Sequence, residues 1–308
     1  MMGVLSGFFI VWALIAIGWG IGRTGVLGDQ ARFVLNRVTF FLASPALVLT
    51  ALLTSDLRQV LSAPMLVAGA SGLLTGGLLV VGLRLLTSRR GPDLIIAAVS
   101  GSVVNGANMG FPIALYVLGD ISHALPVILF QQAVYTPLYL FLLHAATQDG
   151  KAGLGGVLRN IGANPTILMA VLGLVLVSAG VTLPPVVLEP FEALADMAIP
   201  GMLLAYGISL IGSAPYAKGA GYRGLIMVSS LAKLVLMPLI ALGIGAAIGM
   251  RGHDLYAVVV MAALPTAQNV YVAASRYEAS EELARDTVLT TTVGTVVVLL
   301  ALSAVLGM

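Results

Sequence analysis

Stretches of apolar residues long enough to cross a membrane follow one another along the whole chain. Roughly 20 apolar residues span the hydrocarbon core as a helix. On that criterion the sequence predicts ten spans, at 4–22, 33–53, 64–86, 94–118, 124–146, 165–181, 190–212, 224–249, 254–276 and 285–307. Turn-forming residues stand between them, for example at Thr24-Gly25 and Pro184-Pro185. The pattern predicts an all-α integral membrane protein with ten transmembrane helices.

The segment VNGANMGFP, from Val104 to Pro112, interrupts the fourth span. Gly106 and Gly110 favour an unwound backbone, and Pro112 lacks an N–H and clashes with the carbonyl four residues before it. In hydrocarbon such a break persists only where it is buried in protein or lines a polar cavity. We therefore expect a broken helix at the depth where transporters bind their substrates.

A second interruption, LPTAQN around Pro265, lies in the ninth span. Adding 161 to Asn108 gives Asn269, and adding 161 to Val4 gives Pro165, where the sixth span begins. The chain is therefore predicted to contain a first five-helix repeat at 1–146, a cytoplasmic connection at 147–164 and a second repeat at 165–308. Because five is an odd number, the repeats enter the membrane with opposite orientations. We expect the broken helices 4 and 9 to cross near the bilayer midplane.

Composition and charge agree with a membrane protein. Of 308 residues, 59% are hydrophobic and 9% are charged, against roughly a quarter charged in soluble domains. Twelve basic residues lie in or beside the odd-numbered connections and only two, Arg58 and Arg251, in the even-numbered ones. Since lysine and arginine stay on the cytoplasmic side, both termini are predicted to be extracytoplasmic. The first apolar run lacks a basic leader, so we interpret it as a span and not as a cleaved signal.

Polar side chains at the two breaks are the first candidates for substrate contacts, because amides and hydroxyls can bind a carboxylate without carrying charge. They are Asn105, Asn108, Thr266, Gln268 and Asn269. The same groups could instead satisfy the freed backbone, and the sequence leaves both interpretations open. Three further cavity candidates are Ser44, Gln131 and Tyr206 in other spans.

Lys233 lies about nine residues into the eighth span, where a lysine costs about 2.5–3.5 kcal/mol on insertion scales. It either shapes the electric field for an anionic substrate, snorkels to the cytoplasmic surface, or bonds to carbonyls of a broken helix. We expect no carboxylate inside a span, with Asp196 near the start of the seventh the nearest candidate partner. That absence disfavours a cation/proton antiporter, although neutral oxygens could still coordinate sodium.

Signatures of enzymes and metal sites are absent from the sequence. It contains no HExxH and no phosphate-binding loop. It has no cysteine, and none of its histidines, His123, His144 and His253, has a second histidine three or four residues away. We therefore expect no enzyme, no metal site and no cofactor, with coupling to Na⁺ or H⁺ left open.

Three motifs resemble the auxin efflux carrier family, which includes plant PIN proteins and bacterial carriers of the malate or malonate type. The motifs are NGANMGFPI at 105–113, Lys233 followed by LVLMPL, and PTAQNVYVAASRY at 265–277. The resemblance implies a fold like that of bile acid/sodium symporters, with a scaffold domain of helices 1, 2, 6 and 7 and a transport domain of helices 3–5 and 8–10. It also implies elevator-type alternating access of organic anions and a homodimer formed through the scaffold. Asn105 and Asn108 match the family's fourth-helix crossover, and Pro265 and Asn269 its ninth-helix crossover.

These observations together predict a secondary transporter of small organic anions, auxin-like or malate/malonate-like, in the bacterial inner membrane. The lipid bilayer and a small organic anion are its expected partners, and nucleic acid is not. A sodium-coupled organic anion symporter of the bile acid type remains an alternative. A ligand-sensing membrane receptor or channel is the alternative from another class.

Overall fold

The computed structural model describes residues 2–55, 63–89, 91–147, 162–211 and 221–306. Over these residues the backbone is helical, with one isolated β-bridge and no strand. Most of the predicted cytoplasmic connection, 148–161, lies outside the described residues. The same is true of several basic residues used to predict orientation, namely Arg58, Arg90, Lys151, Arg159 and Lys218.

Twelve helices follow one another in the described part of the chain. They are α1 Met2–Thr24, α2 Ala31–Thr54, α3 Ala63–Leu86, α4 Pro92–Ser100, α5 Phe111–Tyr116, α6 Ile121–Thr147, α7 Pro165–Ser178, α8 Pro185–Ser209, α9 Arg223–Ala247, α10 Gly252–Ala262, α11 Gln268–Arg276 and α12 Glu281–Val305. The predicted fourth span corresponds to α4 and α5, and the predicted ninth span to α10 and α11. Residues 101–105, which precede the π-helical turn before α5, and residues 263–267, which directly precede α11, are not helical.

Six of these helices, α2, α3, α6, α8, α9 and α12, are long and apolar enough to cross a membrane. Three apolar helical stretches are shorter, namely Phe9–Thr24 within α1, Pro165–Ser178 (α7) and Gly252–Ala262 (α10). Large apolar side chains are exposed on several of them, including Leu85, Val186 and Val293, as expected for surfaces that face lipid. Over the described residues the protein is thus helical, with several helices able to cross a membrane, while the ten-helix inverted repeat stays a prediction.

Four short π-helical turns interrupt the regular helices, each immediately before an X-Pro pair. The turns are Thr39–Ala43, Gly106–Gly110, Gln131–Tyr135 and Ala232–Leu236, and the prolines are Pro45, Pro112, Pro137 and Pro238. Proline has no N–H, and its ring clashes with the carbonyl four residues before it. In three cases the residue before the proline donates to the carbonyl five residues back, as Met237 does to Ala232. The wider turn accommodates the proline without ending the helix.

The chain divides into two compact units. Unit 1 comprises Met1–Ser62, Ala107–Leu129 and Ile161–Ser213, and unit 2 comprises Ala63–Gly106, Phe130–Asn160 and Ala214–Met308. Unit 1 thus contains α1, α2, α7 and α8, the helices for which the resemblance implies a scaffold. It also contains the segment 107–129, which the resemblance implies for the other domain. The roles of scaffold and transport domain stay predictions.

Helices α1 and α8 pack closely in unit 1 because glycines face each other across the contact. A Cβ atom added at Gly207 would lie 2.1 Å from the Ile15 carbonyl oxygen, and one at Gly18 would lie 2.4 Å from the Leu204 carbonyl oxygen. Small residues at membrane helix interfaces allow this close backbone approach.

Unit 2 has its own core, formed by buried apolar side chains from α4, α6, α9, α11 and α12. Its members include Ile96, Tyr139, Ile226, Val270 and Leu283. This core surrounds the two interruptions 101–105 and 263–267, and it therefore fixes the position of the candidate site.

Candidate functional site

The two non-helical segments of unit 2 meet each other side by side. Val104 and Thr266 form an isolated antiparallel bridge. On one side of it the Asn105 N–H donates to the Pro265 carbonyl at 2.8 Å, and on the other the Ala267 N–H donates to the Val103 carbonyl at 3.1 Å. Pro265 has no N–H, so its position as an acceptor fits the bridge. The interruptions therefore satisfy part of each other's freed backbone, as membrane burial requires.

Gln131 satisfies the backbone groups of Val104 that point away from the bridge. The Val104 N–H donates to Gln131 Oε1 at 2.6 Å, and Gln131 Nε2 donates to the Val104 carbonyl at 2.9 Å. That carbonyl also accepts from the Gly106 N–H at 2.8 Å. Both ends of the Gln131 amide are thus occupied by the backbone, which is the structural alternative that the sequence left open for the polar candidates.

Threonine side chains satisfy the freed backbone groups of the other segment in the same way. The Thr266 N–H donates to Thr291 Oγ1 at 3.0 Å, and the Thr266 hydroxyl donates to the Ser100 carbonyl at 2.5 Å. Thr295 Oγ1 donates to the Ala263 carbonyl at 3.3 Å. Thr266 is fully buried, so its side chain holds the end of α4 against the second interruption.

Lys233 lies in the π-helical turn of α9, and its side chain is completely buried. Its ammonium donates to the Ala262 carbonyl at 2.6 Å and contacts Met237 Sδ at 3.4 Å. Ala262 is the last residue of α10. Among the three sequence-based alternatives for Lys233, the geometry therefore favours bonding to a broken-helix carbonyl over snorkelling to a surface.

The remaining polar candidates of unit 2 differ in exposure. Asn105 is buried within the interruption. Gln268 and Asn269 are the first two residues of α11, where Gln268 is half-buried and Asn269 is exposed. Unpaired N–H groups at a helix N-terminus carry partial positive charge. Amide side chains at this end can therefore act together with the helix dipole on an anion.

Five candidates lie in unit 1. Asn108 is half-buried in the π-helical turn that Gly110 ends, and Pro112 is the second residue of α5. Gly106, the first residue of that turn, lies at the boundary and belongs to unit 2. Ser44 is buried at the end of the π-helical turn in α2, and Tyr206 is buried in α8.

One expectation about charge is wrong, because the predicted spans contain carboxylates in the sequence itself: Glu192 and Asp196 in 190–212, Asp254 in 254–276 and Asp286 in 285–307. Asp286 is the sixth residue of α12, is 1% exposed and accepts from Arg285 Nε at 2.8 Å. The adjacent arginine makes its burial tolerable. Asp196, the carboxylate considered as a partner for Lys233, is exposed. Because the spans do contain carboxylates, their content of Asp and Glu does not disfavour a cation/proton antiporter.

The structure also identifies residues that the sequence did not single out. Besides Thr291 and Thr295, Ser229 donates to the Ala97 carbonyl at 2.9 Å, near the end of α4. Ser102 in the first interruption lies 2.6 Å from the Tyr135 hydroxyl. The run TTTVGT at 290–295 in an otherwise apolar span was the available signal. Within the described residues, no group of three or more His, Cys, Asp or Glu is placed to hold a metal.

Comparison with known proteins relates the whole chain to membrane transporters. A family described as membrane transport protein matches residues 4–303. An "uncharacterized transporter" of Methanothermobacter thermautotrophicus is 25% identical over 303 residues, with 95% of each chain covered. One of Methanocaldococcus jannaschii is 22% identical over 296 residues, covering 92% of each chain. A protein of Rhizobium meliloti named "Putative malonate transporter" is 27% identical over 303 residues, covering 94% of this chain and 91% of its own.

Proposed function

We propose a function from one premise, that the chain belongs to the membrane transport protein family of auxin efflux carriers. We infer that it is a secondary transporter of small organic anions and that carboxylates of the malonate type are its first candidate substrates. The malonate in the printed name of the Rhizobium meliloti relative supports this substrate class. The family and its relatives are transporters and not enzymes.

The observation that carries the proposal is the meeting of two interrupted helices inside unit 2. Non-helical backbone at membrane depth is tolerated where it is buried in protein or lines a cavity, and transporters use such helix ends to bind their substrates. Here Gln268 and Asn269 provide amides at the N-terminal end of α11. We assign these two residues the main contacts with the carboxylate, because they lie at the positive end of the α11 dipole and are less buried than Asn105 and Thr266.

The inverted repeat is part of the proposal. The positions of the side chains that bind backbone groups at the crossing support it. The bridge partners Val104 and Thr266 are 162 positions apart (266 − 104). The two side chains that accept from their backbone N–H groups, Gln131 and Thr291, are 160 positions apart (291 − 131). Both values lie within one residue of the 161-residue offset between the asparagines Asn108 and Asn269. Elevator-type alternating access, extracytoplasmic termini and a bacterial inner-membrane location complete the proposal.

Counterflow in proteoliposomes tests the proposed function. Vesicles loaded with unlabelled malonate should accelerate uptake of labelled malonate in a carrier, whereas a channel or a receptor gives no such acceleration. Replacing sodium with choline distinguishes the proposed carrier from the sodium-coupled alternative, because uptake by a sodium-coupled symporter would be lost. Absence of counterflow with malonate and with a panel of mono- and dicarboxylates would overturn the organic-anion proposal.

Asn269→Ala tests the site, with Asn36→Ala as the matched control in α2. Hydrogen bonds to charged groups contribute about 1.5–3 kcal/mol, so we expect transport at low substrate concentration to fall about 10–100-fold in Asn269→Ala and to be unchanged in Asn36→Ala. The same assay on Asn108→Ala tests the candidate in unit 1. Wild-type rates in Asn269→Ala would contradict the assignment at α11.

A further inference from the structure

The carbonyl that Lys233 binds is one that the helix break sets free. Within a continuous helix the Ala262 carbonyl would accept from the N–H of residue 266. The Thr266 N–H instead donates to Thr291 Oγ1 at 3.0 Å, and the Lys233 ammonium lies 2.6 Å from the Ala262 oxygen. The ammonium thus takes the place of the missing intrahelical donor.

This carbonyl belongs to the negative end of a helix dipole. Ala262 ends α10, and the last carbonyls of a helix carry partial negative charge. The neighbouring Ala263 carbonyl accepts only a hydroxyl, that of Thr295, at 3.3 Å. In the part of the chain that the structure describes, no carboxylate lies within ion-pair distance of Lys233. The ammonium therefore interacts with a neutral carbonyl and a neutral thioether, and not with a carboxylate.

Carbonyl oxygens at the C-terminal end of a broken helix are the ligands with which transporters coordinate a coupling sodium ion. An ammonium group is a compact, strongly hydrated point charge, which is the same kind of ligand partner as a monovalent metal ion. Lys233 delivers such a charge on a side chain that is completely buried in unit 2.

We propose that the Lys233 ammonium is a built-in cation that occupies a monovalent-cation position at the C-terminal end of α10, which makes transport independent of sodium. This inference rests on the proposed function for its consequence in transport, but the cation position can be tested without transport. Removing the side chain should leave a cavity lined by the Ala262 carbonyl and Met237 Sδ that binds a small free cation.

Thermal unfolding of the purified protein in sodium, potassium, ammonium or choline chloride at constant ionic strength tests the cation position. We expect the unfolding temperature of the wild type to be the same in all four salts. Lys233→Ala should unfold at a lower temperature in choline and recover saturably, by about 5 °C or more, in sodium or ammonium, because a ligand that binds only the folded state stabilises it. Lys233→Met, whose side chain fills most of the lysine's space, should show no recovery.

Three results would overturn the inference. The first is a saturable effect of sodium on the unfolding temperature of the wild type. The second is loss of wild-type malonate uptake when choline replaces sodium. The third is a folded Lys233→Ala protein that responds to none of the cations. Should Lys233→Ala fail to fold, Lys233→Ser provides the same test, and the sodium titration of wild type decides without any variant. If the wild type transports no anion but the unfolding temperature of Lys233→Ala responds to cations, the proposed function is wrong and the cation position is still supported.

Discussion

Replacing Gly207 with alanine should destabilise unit 1, because the new methyl group would meet backbone atoms of α1. Its Cβ would lie 2.1 Å from the Ile15 carbonyl oxygen and 2.7 Å from the Trp19 nitrogen. Backbone atoms within a helix cannot rotate aside as a flexible side chain can. The two helices must therefore separate, and the packing around their contact is lost.

The magnitude follows from two opposing contributions. Overpacking of a well-packed contact costs about 1–3 kcal/mol, and we take the upper end because the contact joins two backbones. Alanine is favoured over glycine within a helix by about 1 kcal/mol. The net loss of about 2 kcal/mol corresponds to a fall of about 4–8 °C in the unfolding temperature, using the scaling for chains of 150–250 residues.

Gly20→Ala in α1 is the matched control, since a Cβ at Gly20 has no atom within 4 Å. It retains the helix-propensity gain without the clash, so its unfolding temperature should rise by about 2–4 °C. Thermal unfolding in detergent, followed by intrinsic fluorescence, measures both variants. Shifts of the same sign in the two variants, or a rise for Gly207→Ala, would refute the close backbone contact between α1 and α8.

Two further predictions concern the backbone at the crossing. Gln131→Leu removes the acceptor of the Val104 N–H and one of the two donors to the Val104 carbonyl. It should lower stability by about 1–3 kcal/mol, the cost of an unsatisfied buried donor. Urea or thermal unfolding of this variant and of the exposed control Gln30→Leu measures the loss, and equal stability of the two variants would exclude the role of Gln131. Thr291→Val should lose a similar amount because the Thr266 N–H loses its acceptor. Thr291→Ser retains the hydroxyl, so its free energy of unfolding should lie within about 1 kcal/mol of the wild-type value. Equal stability of the valine and serine variants would contradict this bond.

The helical elements could be predicted well because each is encoded locally. The predicted span 64–86 corresponds to Ala63–Leu86, and 254–276 corresponds closely to α10 and α11 together. A run of apolar residues bounded by turn formers has few alternatives in a membrane, where backbone groups must be satisfied within the segment. The family resemblance, carried by the motifs around Asn105, Lys233 and Pro265, was confirmed by the match over residues 4–303.

The position of the non-helical backbone could not be derived from local sequence. The segment VNGANMGFP placed the interruption at its glycines and proline, yet Gly106 and Gly110 lie within a π-helical turn and Pro112 lies in α5. The unwound residues are instead 101–105, which precede both glycines and the proline in the sequence. They are held there by Thr266 and Gln131, which are far away in the sequence, so the deciding interactions are non-local.

The π-helical turns illustrate a signal that was present in the sequence but not used. Each lies directly before an X-Pro pair inside an apolar run, as at Pro137 and Pro238. Proline inside a membrane helix predicts a local widening as well as a kink. Gln131 and Lys233, both in such turns, thereby project from positions where the regular helix is interrupted.

Three polar side chains at the crossing in unit 2 bind backbone groups, which leaves fewer positions that can determine substrate specificity. Gln131 binds the Val104 backbone, Thr266 binds the Ser100 carbonyl, and Lys233 binds the Ala262 carbonyl. The Gln131 amide, whose donor and acceptor atoms both bind backbone, can contact a substrate only if the crossing gives up a bond, which in a membrane leaves an unsatisfied group. The amides of Gln268 and Asn269, at the start of α11, are more exposed than the fully buried Thr266 and Lys233. Substitutions there should therefore change which anion is transported, whereas substitutions of the three backbone-bound side chains should change whether the protein folds.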